Sequence, residues 1–319
     1  MPTAVSPVFV DPTPQSGVLA PSSNHAQFLL LGLGQLSLAE LKGQLRQLES
    51  ARQRLSTQYP EAQVGMVVSF GLGLWRQLRQ DVPTGFHDLE SISVKVSSTE
   101  TLTMPATGGD LLIHVHAGRA DLCFLLIQTF LAGIVDQVVV LDERVGFRYL
   151  DQRDLTGFLL GLANPQAQQA RAEAALIDSS QPRFAGGSFV FNQRFIHDLG
   201  SWQKLKVDQQ EHVMGRTKLE GIELPEGLKR TNSHTARMAS PDRTRIVRHS
   251  MPYGTGSGEQ GLMFQAYSKD LNVFDQLLAR MYGISDGVSD RVLQHSTPVS
   301  GGYFFAPSQG MLDGVSGGW

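Results

Sequence analysis

The sequence predicts an α+β protein of two similarly ordered halves, each an antiparallel sheet with peripheral helices. Three observations carry this. Short apolar runs of strand character alternate with segments of helical spacing in the order strand, helix, strand, strand, helix, strand. That order recurs after a loop around Gly157 to Asp178. Finally, 319 residues with 41% hydrophobic and 18% charged composition suffice for one large or two modest globular domains.

Residues 1–24 are rich in proline, serine and threonine and read as an extended arm. Ala26 to Leu31 reads as a buried strand. Ser37 and Glu40 form a capping box, since hydroxyl and carboxylate satisfy the first free helix amides. Leu38, Leu41, Leu45 and Leu48 then line one helical face. Val64 to Phe70 and Leu111 to His116 are strands, Asp121 to about Gly133 has helical spacing, and Gln137–Leu141 and Gly146–Leu150 complete the half as two short strands. In the second half, Gly187 to Phe195 alternates small or polar with aromatic residues, as a half-buried strand does. Helices follow over 200–206 and 209–215, then a strand over 262–267. An amphipathic helix runs from Val273 to Met281, with Phe274, Leu277, Leu278 and Met281 on one face. Each half has the ferredoxin-like order. The expected organisation is an arm over 1–24, halves over 25–150 and 151–308, and a flexible tail over 309–319.

A net charge of −3 offers no electrostatic case for nucleic acid or an anionic membrane. The single Cys123, in an apolar run, reads as a small buried hydrophobe and cannot form an internal disulfide. No run approaches the roughly 20 apolar residues of a membrane span. Met1 to Pro7 lacks the basic and apolar regions of a signal peptide, so a cytoplasmic location is expected.

The chemistry concentrates in a few segments. His234 lies in the polar stretch Asn232–Arg237, and a neutral imidazole there has the character of a metal ligand. Fourteen residues on, Arg248 precedes His249-Ser250-Met251-Pro252-Tyr253-Gly254 and places a permanently charged fork at a corner. With Gly146–Tyr149 and Asp154–Pro165, these segments resemble the dye-decolourising peroxidases, of the class B kind. The resemblance covers about residues 16–308. It implies two ferredoxin-like sheets packed in the dimeric α/β barrel manner, with haem b held mainly by the second half.

It further implies His234 as the iron ligand, Asp290 as the acceptor that orients it (or as a helix cap), and Arg248 as the charge opposite a departing anionic oxygen. Ser250 becomes a donor to bound water or peroxide, and Phe264 an apolar neighbour of the iron. One departure is plain. Where the family reads Gly-Phe-x-Asp-Gly, this chain reads Gly157-Phe158-Leu159-Leu160-Gly161, and Leu162 stands where threonine is common. Leu160, Gly161 and Leu162 therefore make an apolar loop at the place of the carboxylate that shuttles the peroxide proton. Asp154 reads as a loop cap. The implied function is oxidation of aromatic donors by hydrogen peroxide, impaired or altered at Leu160. The alternative is a haem storage, delivery or sensing protein, or an apolar haem pocket reshaped for small-molecule chemistry, with only weak peroxidase activity. A homo-oligomer, and an encapsulating shell protein docked by the tail, are the implied partners. Tyr149, Trp202 and Tyr253 are candidate surface electron exits.

His114 and His116 share a strand face, yet no third ligand of suitable spacing is nearby, so they read as structural. His249, beside Arg248 in a strand, should point away from the pocket.

Overall fold

A computed structural model describes residues 11–95, 97–98, 101–239 and 245–317. The first ten residues of the expected arm and the last two of the expected tail lie outside them.

The chain enters β1 (His25–Gly32), then α1 (Leu38–Gln58), β2 (Gly65–Phe70) and α2 (Leu72–Leu78). A hairpin of β3 (Ile92–Lys95) and β4 (Thr101–Met104) precedes β5 (Leu111–Ala117), α3 (Ala120–Leu131) and β6 (Val139–Phe147). The second half runs α4 (Gln168–Ala175), β7 (Ser188–His197), α5 (Leu199–Lys204), α6 (Val207–Met214) and α7 (His234–Met238). It finishes with β8 (Val247–Arg248), β9 (Met251–Gly254), β10 (Gln260–Ser268), α8 (Asn272–Met281), β11 (Ser296–Pro298), β12 (Gly302–Ala306) and α9 (Gln309–Gly317).

The capping box starts α1 as expected: the Glu40 amide donates to Ser37 Oγ, and the Ser37 amide to the Glu40 carboxylate. Leu41, Leu45, Leu48, Ala51 and Leu55 are all buried, which carries the apolar stripe almost to the end of the helix. Each buried leucine contributes about 1.5–3 kcal/mol relative to exposure.

The two halves share one topology. The N-terminal sheet is ordered β6-β1-β5-β2 and the C-terminal sheet β9-β10-β7-β12, so each reads fourth-or-second strand outside, first and third inside. The sheets join at their edges, with Phe70 opposite Phe305 and Gly146 opposite Tyr253, and β7 pairs with β10 to close the ring. Alternation then splits the core. Leu30, Val67, Leu112, Val190, Tyr267 and Phe304 meet inside the ring. Their neighbours Leu29, Val68, Ile113, Phe189 and Phe305 face the helices outside.

Four expectations need correction. The two short strands over 137–141 and 146–150 are one strand, β6, in register with β1. Its charged centre does not break it, because Asp142 accepts from Arg194 at 2.8 Å and Glu143 from Gln27 at 2.6 Å. The loop over 157–178 contains α4, whose alanines Ala174 and Ala175 fit beneath β8 and β10. The segment over 309–319 is not a flexible tail through Gly317. It forms α9, where Met311, Leu312 and Val315 pack into the outer core against α1. Of the arm, residues 11–24 are docked rather than free, with the Gln15 amide donating to the carbonyls of Val68 and Pro307.

Candidate functional site

A cavity of about 1060 Å³ lies between the C-terminal sheet and the elements that cover it. Strands β7 and β10 supply Phe191, Phe195, Leu262 and Phe264 to one wall, and α8 supplies Leu277 and Met281 to another. The size is at the top of the range for small-molecule sites, and the lining is mostly apolar, as a large planar ligand requires. His234, Arg248, Ser250, Leu160, Gly161, Leu162 and Phe264 all line this one space.

His234 is the first residue of α7. Its Nδ1 lies 2.7 Å from Asp290 Oδ2, and Asp290 is fully buried. A carboxylate accepts only, so Nδ1 carries the proton, and in the neutral imidazole Nε2 is the nitrogen left with its lone pair. The other oxygen of Asp290 accepts the Val292 amide at 2.9 Å. The two roles expected of Asp290 as alternatives, acceptor and cap, are thus both filled, one oxygen each.

The short helix is held by more than its five residues. Buried Arg237 donates twice to Asp286 and twice to the Arg280 carbonyl, and Arg280 returns bonds to the carbonyls of Ala236 and Arg237. Below it, Gly215 ends α6 in the left-handed region at φ 76°, and any Cβ there would stand 2.1 Å from Thr235 Oγ1. The α6 terminus seats against α7 because the residue is glycine.

Arg248 faces the cavity from β8. Its guanidinium has no hydrogen-bond or ion-pair partner among the described residues. Burial pulls its pKa down to about 10, which leaves it charged at neutral pH. Ser250, two residues on, lines the same wall, and its buried hydroxyl also has no partner among the described residues. Val247 and His249 alternate onto the other face, inside the ring, so His249 does point away from the cavity.

The loop beside it turns at Gly161, at φ 75°, with the Leu160 amide donating to the Gln152 carbonyl. Leu160 brings no polar atom beyond its backbone to the cavity. Asp154 caps the loop, accepting from the Thr156 amide, and also accepts from His197 Nε2 at 3.1 Å. Burial would raise its pKa, but the bonds from His197 and Thr156 outweigh that and hold it below the usual carboxylate value.

Sequence reasoning missed His197, and Gln193 with it. Both line the cavity, and their signal was the alternation of Phe191, Gln193, Phe195 and His197 along one face of β7. It also found no third imidazole for His114 and His116. The fold supplies one, because His249 comes within 5.8 and 5.2 Å of their ring centres. The rings are tied to separate partners, with His114 on Tyr267, His116 on Ser23 and His249 on the Val18 carbonyl. Among the described residues no three histidine, cysteine or acidic side chains are placed to hold a metal ion. Of the expected surface electron exits, Trp202 and Tyr253 are buried, each with a hydrogen bond to a backbone carbonyl.

Fold and site together define an α+β protein of duplicated ferredoxin-like halves, whose C-terminal half carries a large apolar cavity with an oriented histidine and an unpartnered arginine. The chain belongs to the Dyp-type peroxidase family, an enzyme family. The family's N-terminal region matches residues 15–148 and its C-terminal region residues 151–311. The dye-decolorizing peroxidase of Mycobacterium tuberculosis is 38% identical over 311 residues, spanning 95% of this chain and 90% of the relative. An encapsulated DyP-type peroxidase from Mycobacterium smegmatis superposes with a TM-score of 0.87 at 34% identity, covering 95% of this chain and 98% of that one. A Rhodococcus jostii variant, described as in complex with heme, superposes with a TM-score of 0.85 at 34% identity, with the same coverage. Among the described residues no helix is long and apolar enough to cross a membrane.

Proposed function

We propose that this chain is a haem-dependent peroxidase of the dye-decolourising, class B kind, which uses hydrogen peroxide to oxidise aromatic donors and has an altered proton path. The observation that carries the proposal is His234, fixed by buried Asp290, sharing one apolar cavity with the unpartnered charge of Arg248. The residues fit haem b. His234 would hold the iron through Nε2, and the apolar walls suit the macrocycle. The haem complex described for the Rhodococcus jostii relative supports this assignment.

When bound, haem supplies a redox-active iron that takes oxidising equivalents from peroxide and returns them to the donor. The chain's residues do the rest. Asp290 fixes the tautomer of His234 and makes it a stronger donor. Arg248 would hold positive charge where an anionic oxygen would depart. Ser250 offers a hydroxyl to whatever lies beside it. Leu160 cannot carry a proton, so the transfer a carboxylate would perform is left without a side chain at this position.

Leu160 also favours a second reading, a haem storage, delivery or sensing protein with weak turnover. The first test is common to both: His234→Ala should purify without a Soret band, and added imidazole should restore it. Full haem content with an unchanged spectrum in that variant would end the assignment. Absorbance during peroxide titration then separates the two, since rapid change supports the enzyme and a persistent ferric spectrum the binder.

We also infer a homo-oligomer, supported by exposed Phe124, Val139, Leu141 and Val145 on α3 and β6. The cytoplasmic location rests on the lone, buried Cys123. A shell partner rests on the description of the encapsulated relative. The segment expected to dock there is packed in the core as far as Gly317.

A further inference from the structure

We propose that Asn164 is a positioning residue for Arg248, acting as the missing neighbour strand at its backbone; this rests on the haem-pocket reading above. The argument starts from sheet register. Strands β8 and β9 run along β10 in one register, with Val247 opposite Tyr267, Arg248 opposite Ala266 and Met251 opposite Met263. In that ladder His249 donates its amide to Gln265, so the amide and carbonyl of Arg248 point the other way, toward the open edge. On that side β9 is covered by β6, which meets it at Gly146 and ends at Phe147. No strand is left for Arg248.

Asn164 takes the place. Its Oδ1 accepts the Arg248 amide at 2.9 Å, and its Nδ2 donates to the Arg248 carbonyl at 2.8 Å. A primary amide is the side-chain group that carries one acceptor and one donor at the spacing of a peptide bond. Both of its functional atoms are spent on this one residue. Asn164 is itself fixed, since its backbone amide donates to the Gly161 carbonyl at 2.9 Å. The turn that carries Leu160 to Leu162 and the two-residue strand that carries Arg248 are therefore joined through one side chain.

The consequence is positional. A two-residue strand with a bare edge would exchange its polar groups with water and let the Arg248 side chain wander. With Asn164 in place, the backbone is held from both sides while the guanidinium, which has no partner of its own, reaches into the cavity. Asn164 does not touch the reacting atoms.

The test uses a ligand whose binding reads the guanidinium directly. Fluoride on the ferric haem-loaded protein accepts a hydrogen bond from a nearby arginine, and its affinity is read from the absorption spectrum. Asn164→Ala should weaken fluoride about tenfold with the Soret band retained, the worth of roughly one lost hydrogen bond. In an Arg248→Leu background the same change should cost less than about twofold, because nothing remains to position. An equal loss in both backgrounds, or no loss with Arg248 present, overturns the proposal.

A second measurement needs no haem and no variant. Hydrogen exchange on the haem-free wild-type chain should find the Arg248 amide protected. An Arg248 amide that exchanges as fast as the loop amides overturns the clamp even if the haem reading stands. A protected amide in a chain that takes up no haem would uphold the clamp and remove the pocket assignment instead. Should Asn164→Ala not fold, Asn164→Leu keeps the bulk and removes both the acceptor and the donor, and the Arg248 amide should then exchange faster than in wild type; unchanged protection overturns the role of the paired amide.

Discussion

At position 160 a side chain without acid or base stands in the wall of a cavity that holds a fixed histidine and a lone guanidinium. Leu160→Asp should speed the first spectral change after mixing with peroxide by about 10²-fold, within the usual contribution of general acid–base catalysis. Stopped-flow traces with no acceleration and haem still bound would show that another proton route already operates. The complementary prediction concerns Arg248. An apolar wall orders water poorly, since a buried water needs two or more polar partners. With no carboxylate at position 160, turnover should depend heavily on this charge, and Arg248→Leu should remove nearly all of it while haem stays bound. Steady-state assays that keep most of the activity would refute the role given to Arg248.

Among the elements, α9 departs furthest from its sequence reading. Glycines at 310, 314, 317 and 318 made the segment read as mobile. Yet Met311, Leu312 and Val315 share a face, and α1 offers that face a surface to bury against. Arg46 on α1 also donates to the Ser316 carbonyl at the C-terminal end of α9. Packing overrides propensity here, because helices owe most of their stability in proteins to a buried apolar face. Leu312→Ala should therefore cost about 2–5 kcal/mol in denaturant unfolding, as core leucine truncations do. A change under about 1 kcal/mol, typical of an exposed site, would mean the helix is not docked.

For the molecule as a whole, the closed ring of strands creates an interior where, among the described residues, three imidazoles meet with no carboxylate beside them. His114 and His116 project from β5 and His249 follows β8, with Phe28, Tyr267 and the arm residues Gly17, Val18 and Ser23 around them and Arg171 of α4 alongside. Burial lowers all three pKa values, that of His116 to about 4; neighbouring imidazoles add to this for His114 and His249, and the charge of Arg171 for His116 and His249. The unfolded chain takes up these protons near pH 6.5 and the folded chain does not, so stability is full above 6.5 and falls as pH drops toward 4. For His116 alone the loss is on the order of 3 kcal/mol. Thermal midpoints should fall steeply between pH 6 and 4, and His116→Gln, which keeps a donor and an acceptor, should flatten that slope. An unchanged slope would show that this histidine titrates normally in the fold.

The fold class, the major strands and helices, and the residues His234, Arg248, Ser250 and Asp290 were legible in the sequence, because period and motif are local properties of the chain. Capping of α1 needed only Ser37 and Glu40, three residues apart. What brought the motif residues into one cavity was pairing between distant segments. Asp290 reaches His234 across 56 residues and Asn164 reaches Arg248 across 84, and no periodicity encodes such a meeting. His249 joining His114 and His116 is of the same kind: its neighbours are set by which strands lie side by side. The continuity of β6 through Asp142 and Glu143, and the docking of α9, were decided there too. A charged or glycine-rich run is ordered or not according to the partners the rest of the molecule places against it, and only the tertiary structure supplies those.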